Sequence, residues 1–157
     1  MSRVVDFYTD GAQSSKTKCG GYACIIVEDG DMLGQVTGGE KDTTNNRMEL
    51  KGFLAALQTA NTIETTNTEV NFFCDSAYIV NCFEQQWYLK WQLNGWKASD
   101  KQPVKNQDLW KDIINEYVLA NRHLKVNIYK VDGHKGNFWN EAADALAVES
   151  RKEWEKV

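Results

Sequence analysis

Four carboxylates and one histidine stand where acids do chemistry rather than where they merely solvate a surface. Asp10 closes the alternating stretch Arg3 to Thr9, and Asp75 closes the apolar stretch Val70-Asn71-Phe72-Phe73-Cys74. Glu49 lies in the first turns of a helical segment that follows Thr43-Thr44-Asn45-Asn46, and Asp144 lies early in the last helical segment. Strand ends are where open α/β sheets bind ligands. If the strands neighbour each other, all four acids meet on one rim. Crowded carboxylates repel one another and take up protons unless cations neutralise them. Hard oxygen donors select Mg²⁺, or Mn²⁺ in its place. Two such ions about 3.5–4 Å apart clamp the attacking and leaving oxygens of a phosphodiester. The expected chemistry is therefore metal-dependent phosphodiester hydrolysis.

Each residue also has a plainer reading. Glu49 taken alone complements the helix dipole, and a lone loop histidine is ordinarily solvated. Beside a metal site, His134, held between Gly133 and Gly136, becomes a proton carrier for the leaving group.

The elements that must position these groups follow from periodicity. Arg3 to Thr9 alternates as a strand and runs into Asp10-Gly11; Tyr22 to Val27 is a second strand. Asp29-Gly30 is a hairpin turn, Met32 to Thr37 a third strand, and Gly38-Gly39 ends it. Leu50, Phe53, Leu54 and Leu57 recur at helical spacing, giving an amphipathic helix that starts near Thr44. Its unpaired N–H groups suit a phosphate. A strand from Val70 to Cys74, a helix from Ser76 to Phe83, a helix from Asn106 to Ala120, a strand from Leu124 to Val131 and a helix from Phe138 to Trp154 complete the order. Hairpin strands followed by alternating helices and strands predict an α/β fold with a mixed sheet covered by helices.

At 157 residues the chain has the size of one domain, and 42% hydrophobic with 25% charged residues makes it globular. No long apolar run or basic-then-apolar leader is present, so no membrane span or secretory signal is expected. Four cysteines without a C-x-x-C pair suit a reduced, cytoplasmic protein without structural zinc. Nothing demands more than a monomer.

The net charge of −4 does not advertise a nucleic-acid binder, but charge is unevenly placed. Between residues 87 and 111, Lys90, Lys97, Lys101, Lys105 and Lys111 outweigh Asp100 and Asp108, interleaved with Trp87, Trp91 and Trp96. Cations for phosphates and rings for stacking or sugar contact make a nucleic-acid groove. Tryptophans that pack onto the body are the competing explanation, and Trp110, in register with Ile113, Ile114 and Tyr117, belongs to the core.

Taken in order, Tyr8-Thr9-Asp10-Gly11, Gly20-Gly21-Tyr22, Thr43 to Leu50, Asp75-Ser76 with Tyr78, Gly95-Trp96-Lys97, Pro103 to Asn106 with Asp108-Leu109-Trp110, Gly133-His134 with Gly136, and Asn140-Glu141 with Asp144 resemble type 1 ribonuclease H. Each piece is weak alone, but the ordered set spans almost the whole chain. The resemblance implies a ribonuclease H-like fold, a five-stranded mixed sheet flanked by α-helices. It implies one catalytic domain over residues 1–157, with no separate hybrid-binding domain. It further implies endonucleolytic cleavage of the RNA strand of an RNA–DNA hybrid, leaving a 5′-phosphate and a 3′-hydroxyl. On this resemblance Asp10, Glu49, Asp75 and Asp144 are the metal-binding acids, and His134 aids turnover. Gly11, Ala12, Asn46 and Glu49 read RNA 2′-hydroxyls, with Asn45 beside them in the minor groove. Thr44 and Asn106 form a pocket for a DNA-strand phosphate. Trp87, Trp91, Trp96, Lys97, Lys101 and Lys105 form the basic protrusion that grips the hybrid.

The chain departs from that pattern in places. Gln92, Leu93, Asn94 and Gln102 stand where lysine or arginine is common in the protrusion, and Lys16 and Lys18 replace the usual neutral residues after Asp10. Ala77 stands where a glutamine is common, and Asp132 where a lysine is. Fewer neutralised phosphates imply weaker binding and a shallower salt dependence than in lysine-rich relatives.

Overall fold

A computed structural model describes residues 2–131 and 137–157. Along the chain come β1 (Arg3–Gln13), β2 (Gly20–Glu28), β3 (Asp31–Glu40), α1 (Asn45–Ala60), β4 (Thr68–Cys74), α2 (Ala77–Glu84), α3 (Trp87–Asn94), α4 (Gln107–His123), β5 (Lys125–Lys130) and α5 (Phe138–Glu155). The strands form one five-stranded sheet in the order β3-β2-β1-β4-β5. β1, β2 and β3 pair antiparallel, whereas β1–β4 and β4–β5 pair parallel. The expected mixed α/β sheet is what forms.

Local chemistry explains the joints. Asp29 and Gly30 both take positive φ, 53° and 81°, which a tight hairpin turn between β2 and β3 requires. Thr44 caps α1 by accepting from the Arg47 N–H, Ser76 caps α2 by accepting from Ile79, and Asn137 caps α5 by accepting from Asn140.

Val5 and Phe7 on β1, Val70 and Phe72 on β4, and Leu50, Phe53 and Leu57 on α1 build the main core, into which Ile79, Phe83, Trp110 and Ile113 also pack. Each fully buried large apolar side chain contributes about 2 kcal/mol. Phe72 stacks with Phe7 at 5.1 Å and meets Phe53 at 5.7 Å, which fixes α1 over the junction of β1 and β4. The alternate face of the sheet receives α5, with Ala143 and Leu146 against Ile25, Val27 and Tyr8.

Several boundaries differ from those read in the sequence. β1 does not stop at Asp10 but continues to Gln13, because Asp10 to Gln13 pair with Gly20 to Ala23 of β2 after β4 has ended. β3 runs through Gly38-Gly39 to Glu40, since those glycines pair with Tyr22 and Gly21 and lie under other groups. A Cβ on Gly39 would meet the Trp154 ring at 2.5 Å, so glycine there serves close packing rather than strand ending. α3 is a separate short helix between Gln86 and Gly95, both left-handed, which local periodicity did not separate from its neighbours. Among the described residues no helix is long and apolar enough to cross a membrane.

Candidate active site

Asp10 and Asp75 are brought together by strand register. β1 and β4 are parallel neighbours whose last paired residues are Tyr8 and Phe73. Continuing that register by two residues sets Asp10 opposite Asp75. Glu49 joins them because α1 lies directly on β1: a Cβ at Gly11 would meet the Glu49 amide nitrogen at 2.4 Å and the Met48 carbonyl carbon at 2.5 Å. Only a glycine lets the backbone of β1 approach α1 this closely. A carboxylate oxygen of each of Asp10, Glu49 and Asp75 lies within 4.8 Å of the others.

Asp144 arrives from the other face of the sheet. It is exposed on α5, two turns in, and lies close enough to Asp10 to raise that carboxyl further. The four acids singled out in the sequence therefore meet on one rim, three tightly and the fourth through Asp10. His134 lies outside the described residues.

The electrostatics of the rim are those of crowded, buried charge. Burial, then the negative charge of Asp75, pushes the Asp10 carboxyl up to about 8; Asp144 adds to the rise. The Gly11 N–H, donating to Asp10 Oδ1 at 2.9 Å, opposes it. Burial and Asp75 likewise push Glu49 up to about 7, against a hydrogen bond from Ser76. Cys74, buried behind the cluster, is pushed up to about 12 chiefly by desolvation, so its thiol stays neutral. Two acids that ionise reluctantly and a third within reach form a donor set that a divalent cation fits, since cation charge removes the repulsion raising them. The hard, all-oxygen character of that set matches Mg²⁺ or Mn²⁺ rather than a softer metal.

The neutral donors surround this rim. Thr44, Asn45 and Asn46 are exposed at the start of α1, and Gly11 and Ala12 are half-buried at the end of β1. Asn106, with φ of 59°, ends the loop that enters α4 and faces Arg47 across the same edge.

The protrusion divides into ring and charge. Lys97, Lys101 and Lys105 are exposed, and Trp87 and Trp96 are half-buried. Trp87, Trp91, Tyr78, Lys90 and Lys97 line a hollow of ≈ 350 Å³ between α2, α3 and the following loop. Lys111 of α4 sits over the Trp96 ring, 5.2 Å from its centroid. Trp91 departs from its expected gripping role. It is 7% exposed and packs edge-on against Trp110 at 5.3 Å, so nearly all of its ring secures the protrusion to the body.

Sequence reading also missed an ionic junction beside the rim. Arg47 donates through Nε to Glu40 at 2.8 Å and forks onto Asp108 at 3.1 and 2.7 Å, while Lys51 donates to Glu40 at 2.8 Å. Burial alone would lift the Glu40 carboxyl, but hydrogen bonds from Lys51 and Thr43 and the charges of Lys51 and Arg47 hold it below its usual range. The Arg47 hydrogen bonds do the same for Asp108. The partners come from β3, α1 and α4, so no local pattern announced the cluster; the i,i+4 spacing of Arg47 and Lys51 was its one visible trace.

A family profile described as RNase H matches residues 2–152. A protein named Ribonuclease H from Acetivibrio thermocellus is 43% identical over 150 residues, covering 96% of both chains. One of the same name from Thermoanaerobacter sp. (strain X514) is 42% identical over 149 residues, covering 95% of this chain and 90% of its own. Among solved structures, a type 1 RNase H with the type 2 active-site motif superposes with a TM-score of 0.80 at 28% identity, covering 98% of this chain and 74% of that one.

Proposed function

This chain belongs to the ribonuclease H family, and from that premise we propose that it hydrolyses the RNA strand of RNA–DNA hybrids endonucleolytically, leaving 5′-phosphate and 3′-hydroxyl ends. One observation carries the reading: Asp10, Glu49 and Asp75, from three separate elements, gather their oxygens within 4.8 Å, and Asp144 faces Asp10. Their buried negative charge supports a site for two Mg²⁺ ions, with Mn²⁺ as a substitute. When bound, such ions supply Lewis-acid activation of water and stabilisation of the leaving 3′-oxygen.

The chain's own residues do the rest. Asp10, Glu49, Asp75 and Asp144 hold the cations, and Asp10 and Glu49 must shed their protons to do so. Gly11 and Ala12, with Asn45, Asn46 and Glu49, present donors and acceptors to the ribose 2′-hydroxyls, the group that separates RNA from DNA. Thr44 and Asn106 hold a DNA-strand phosphate. Trp87, Trp96, Lys97, Lys101 and Lys105 grip the hybrid backbone, joined by Lys90 and Lys111. His134 carries a proton towards the leaving oxygen and speeds product release.

The test compares an end-labelled hybrid, duplex RNA and duplex DNA, each with and without Mg²⁺. Mg²⁺-dependent cutting confined to the RNA of the hybrid is expected. Preferential cutting of duplex DNA, or hybrid binding that never leads to cleavage, would overturn the assignment.

A further inference from the structure

The Arg47 junction joins the two halves of the proposed phosphate pocket. Thr44 accepts from the Arg47 N–H at the start of α1, and Asn106 stands across the groove at the entry to α4. The Arg47 side chain spans the gap. Its guanidinium forks onto both oxygens of Asp108, in the first turn of α4, and Nη1 also donates to Asn106 Oδ1 at 3.4 Å. From behind, Glu40 takes its Nε–H, and Glu40 is itself fixed by Thr43 at 2.7 Å and Lys51 at 2.8 Å.

Two carboxylates already engage the Arg47 charge, and Arg47 and Lys51 balance Glu40 and Asp108, so the junction as a whole is neutral. A neutral cluster, with an arginine side chain only 27% exposed, is poorly suited to hold a phosphate itself. Its geometry bears instead on the carboxamide of Asn106. An asparagine side chain presents either its oxygen or its NH₂ in a given direction. With Oδ1 accepting from Arg47, the NH₂ makes no hydrogen bond among the described residues and is available to a ligand. A phosphate requires the donor and repels the oxygen.

We infer that Arg47 is a positioning residue for substrate binding: by clamping Asp108 and Asn106 of α4 to α1, it fixes the spacing of Thr44 and Asn106 and turns the Asn106 amide towards the DNA-strand phosphate. The inference rests on the proposed hybrid-cleaving function for the identity of the ligand. It assigns Arg47 no contact with substrate or metal. Lysine cannot replace it, because an ammonium lacks the planar fork that holds two carboxylate oxygens and an amide oxygen together.

The test uses Arg47→Lys, Asp108→Asn, Asn106→Ala and the double variant Arg47→Lys/Asn106→Ala. Hybrids carry one neutral methylphosphonate linkage placed in turn at each DNA-strand position. Arg47→Lys should raise KM about fivefold, the scale of one lost hydrogen bond, with kcat unchanged. In wild-type protein one methylphosphonate position should weaken binding, and Arg47→Lys should be insensitive at that same position. The double variant should bind no worse than Asn106→Ala alone. Should Arg47→Lys fail to fold, Asp108→Asn reads the same loss of the fork. Additive effects of Arg47→Lys and Asn106→Ala, undiminished methylphosphonate sensitivity, or a fall in kcat at constant KM would each overturn the inference. Hybrid dissociation constants from fluorescence anisotropy keep the readout alive without cleavage. A wild-type protein that binds hybrid but does not cut it would refute the proposed function and leave the Arg47 result standing.

Discussion

Replacing Asp10 by asparagine should stabilise the metal-free protein while destroying its activity. The Asp10 carboxyl is 7% exposed and is pushed from 3.8 up to about 8 by burial and by Asp75 and Asp144. A folded-state value above the unfolded one means that the folded protein binds the extra proton between those limits. Its stability therefore falls as pH rises through that window, and the cost is complete above pH 8. A rise of about four units corresponds to about 5 kcal/mol at 1.36 kcal/mol per unit. Burial accounts for the largest share of that rise and Asp75 and Asp144 for the rest, and coupled acids redistribute protons when one is lost, so replacing Asp10 should return about half, or about 2–3 kcal/mol. Asparagine has the same shape and keeps an acceptor for the Gly11 N–H at 2.9 Å, so little is lost in exchange.

For a chain of 157 residues that gain raises Tm by about 4–10 °C. Thermal melts followed by far-UV circular dichroism in EDTA should show the full gain at pH 9, about a third of it at pH 5 and none near pH 3.5. Saturating Mg²⁺ should narrow the gap at pH 9 by stabilising the wild type more than the variant. A variant that melts lower than wild type at pH 9 in EDTA, or a gain equal at pH 5 and pH 9, would show that the carboxylates do not form the strained cluster described.

Other substitutions separate the parts of the site. Asp75→Asn should abolish Mg²⁺-dependent cleavage, by at least about 10³-fold, with an unchanged circular dichroism spectrum; retained turnover would remove Asp75 from the metal site. Gly11→Ala drives a Cβ into the α1 backbone at Met48 and Glu49, so unfolding by urea should reveal a loss of about 2–3 kcal/mol alongside reduced cleavage. Trp91→Ala should cost about 3–5 kcal/mol of stability through the cavity it leaves beside Trp110, whereas Trp87→Ala should leave the urea midpoint nearly unchanged and raise KM. His134→Ala should slow steady-state turnover without eliminating it, and single-turnover kinetics distinguish a slowed product release from slowed chemistry.

The linear chain was enough to read the kinds and order of every element but α3, and to single out the acids that the fold gathers on one rim. Apolar residues at period two and at helical spacing force strands and helices to bury those faces, and Thr44, Ser76 and Asn137 cap the helices they precede. Asp10 and Asp75 stood out because an ionisable group at the end of an apolar strand has no packing reason to be there, whereas Glu49 and Asp144, inside helical segments, drew notice only through those two and the resemblance to ribonuclease H. Strand limits were less legible. Whether Asp10 ends β1 or lies within it depends on β2, whose pairing with β1 reaches five residues past the last β4 pair, from Tyr8 to Gln13.

Tertiary structure alone decided which residues share a surface. Trp91 and Trp96 carry the same ring five residues apart, yet one is buried on Trp110 and the other lies beneath Lys111. The ionic junction of Glu40, Arg47, Lys51 and Asp108 joins residues up to 61 positions apart in pairs of complementary charge, and a sequence holds no record of which opposite charges will meet. Distance along the chain carries local preference; only packing sets distance in space, and the pKa values of the acids and the direction of the Asn106 amide depend on the latter.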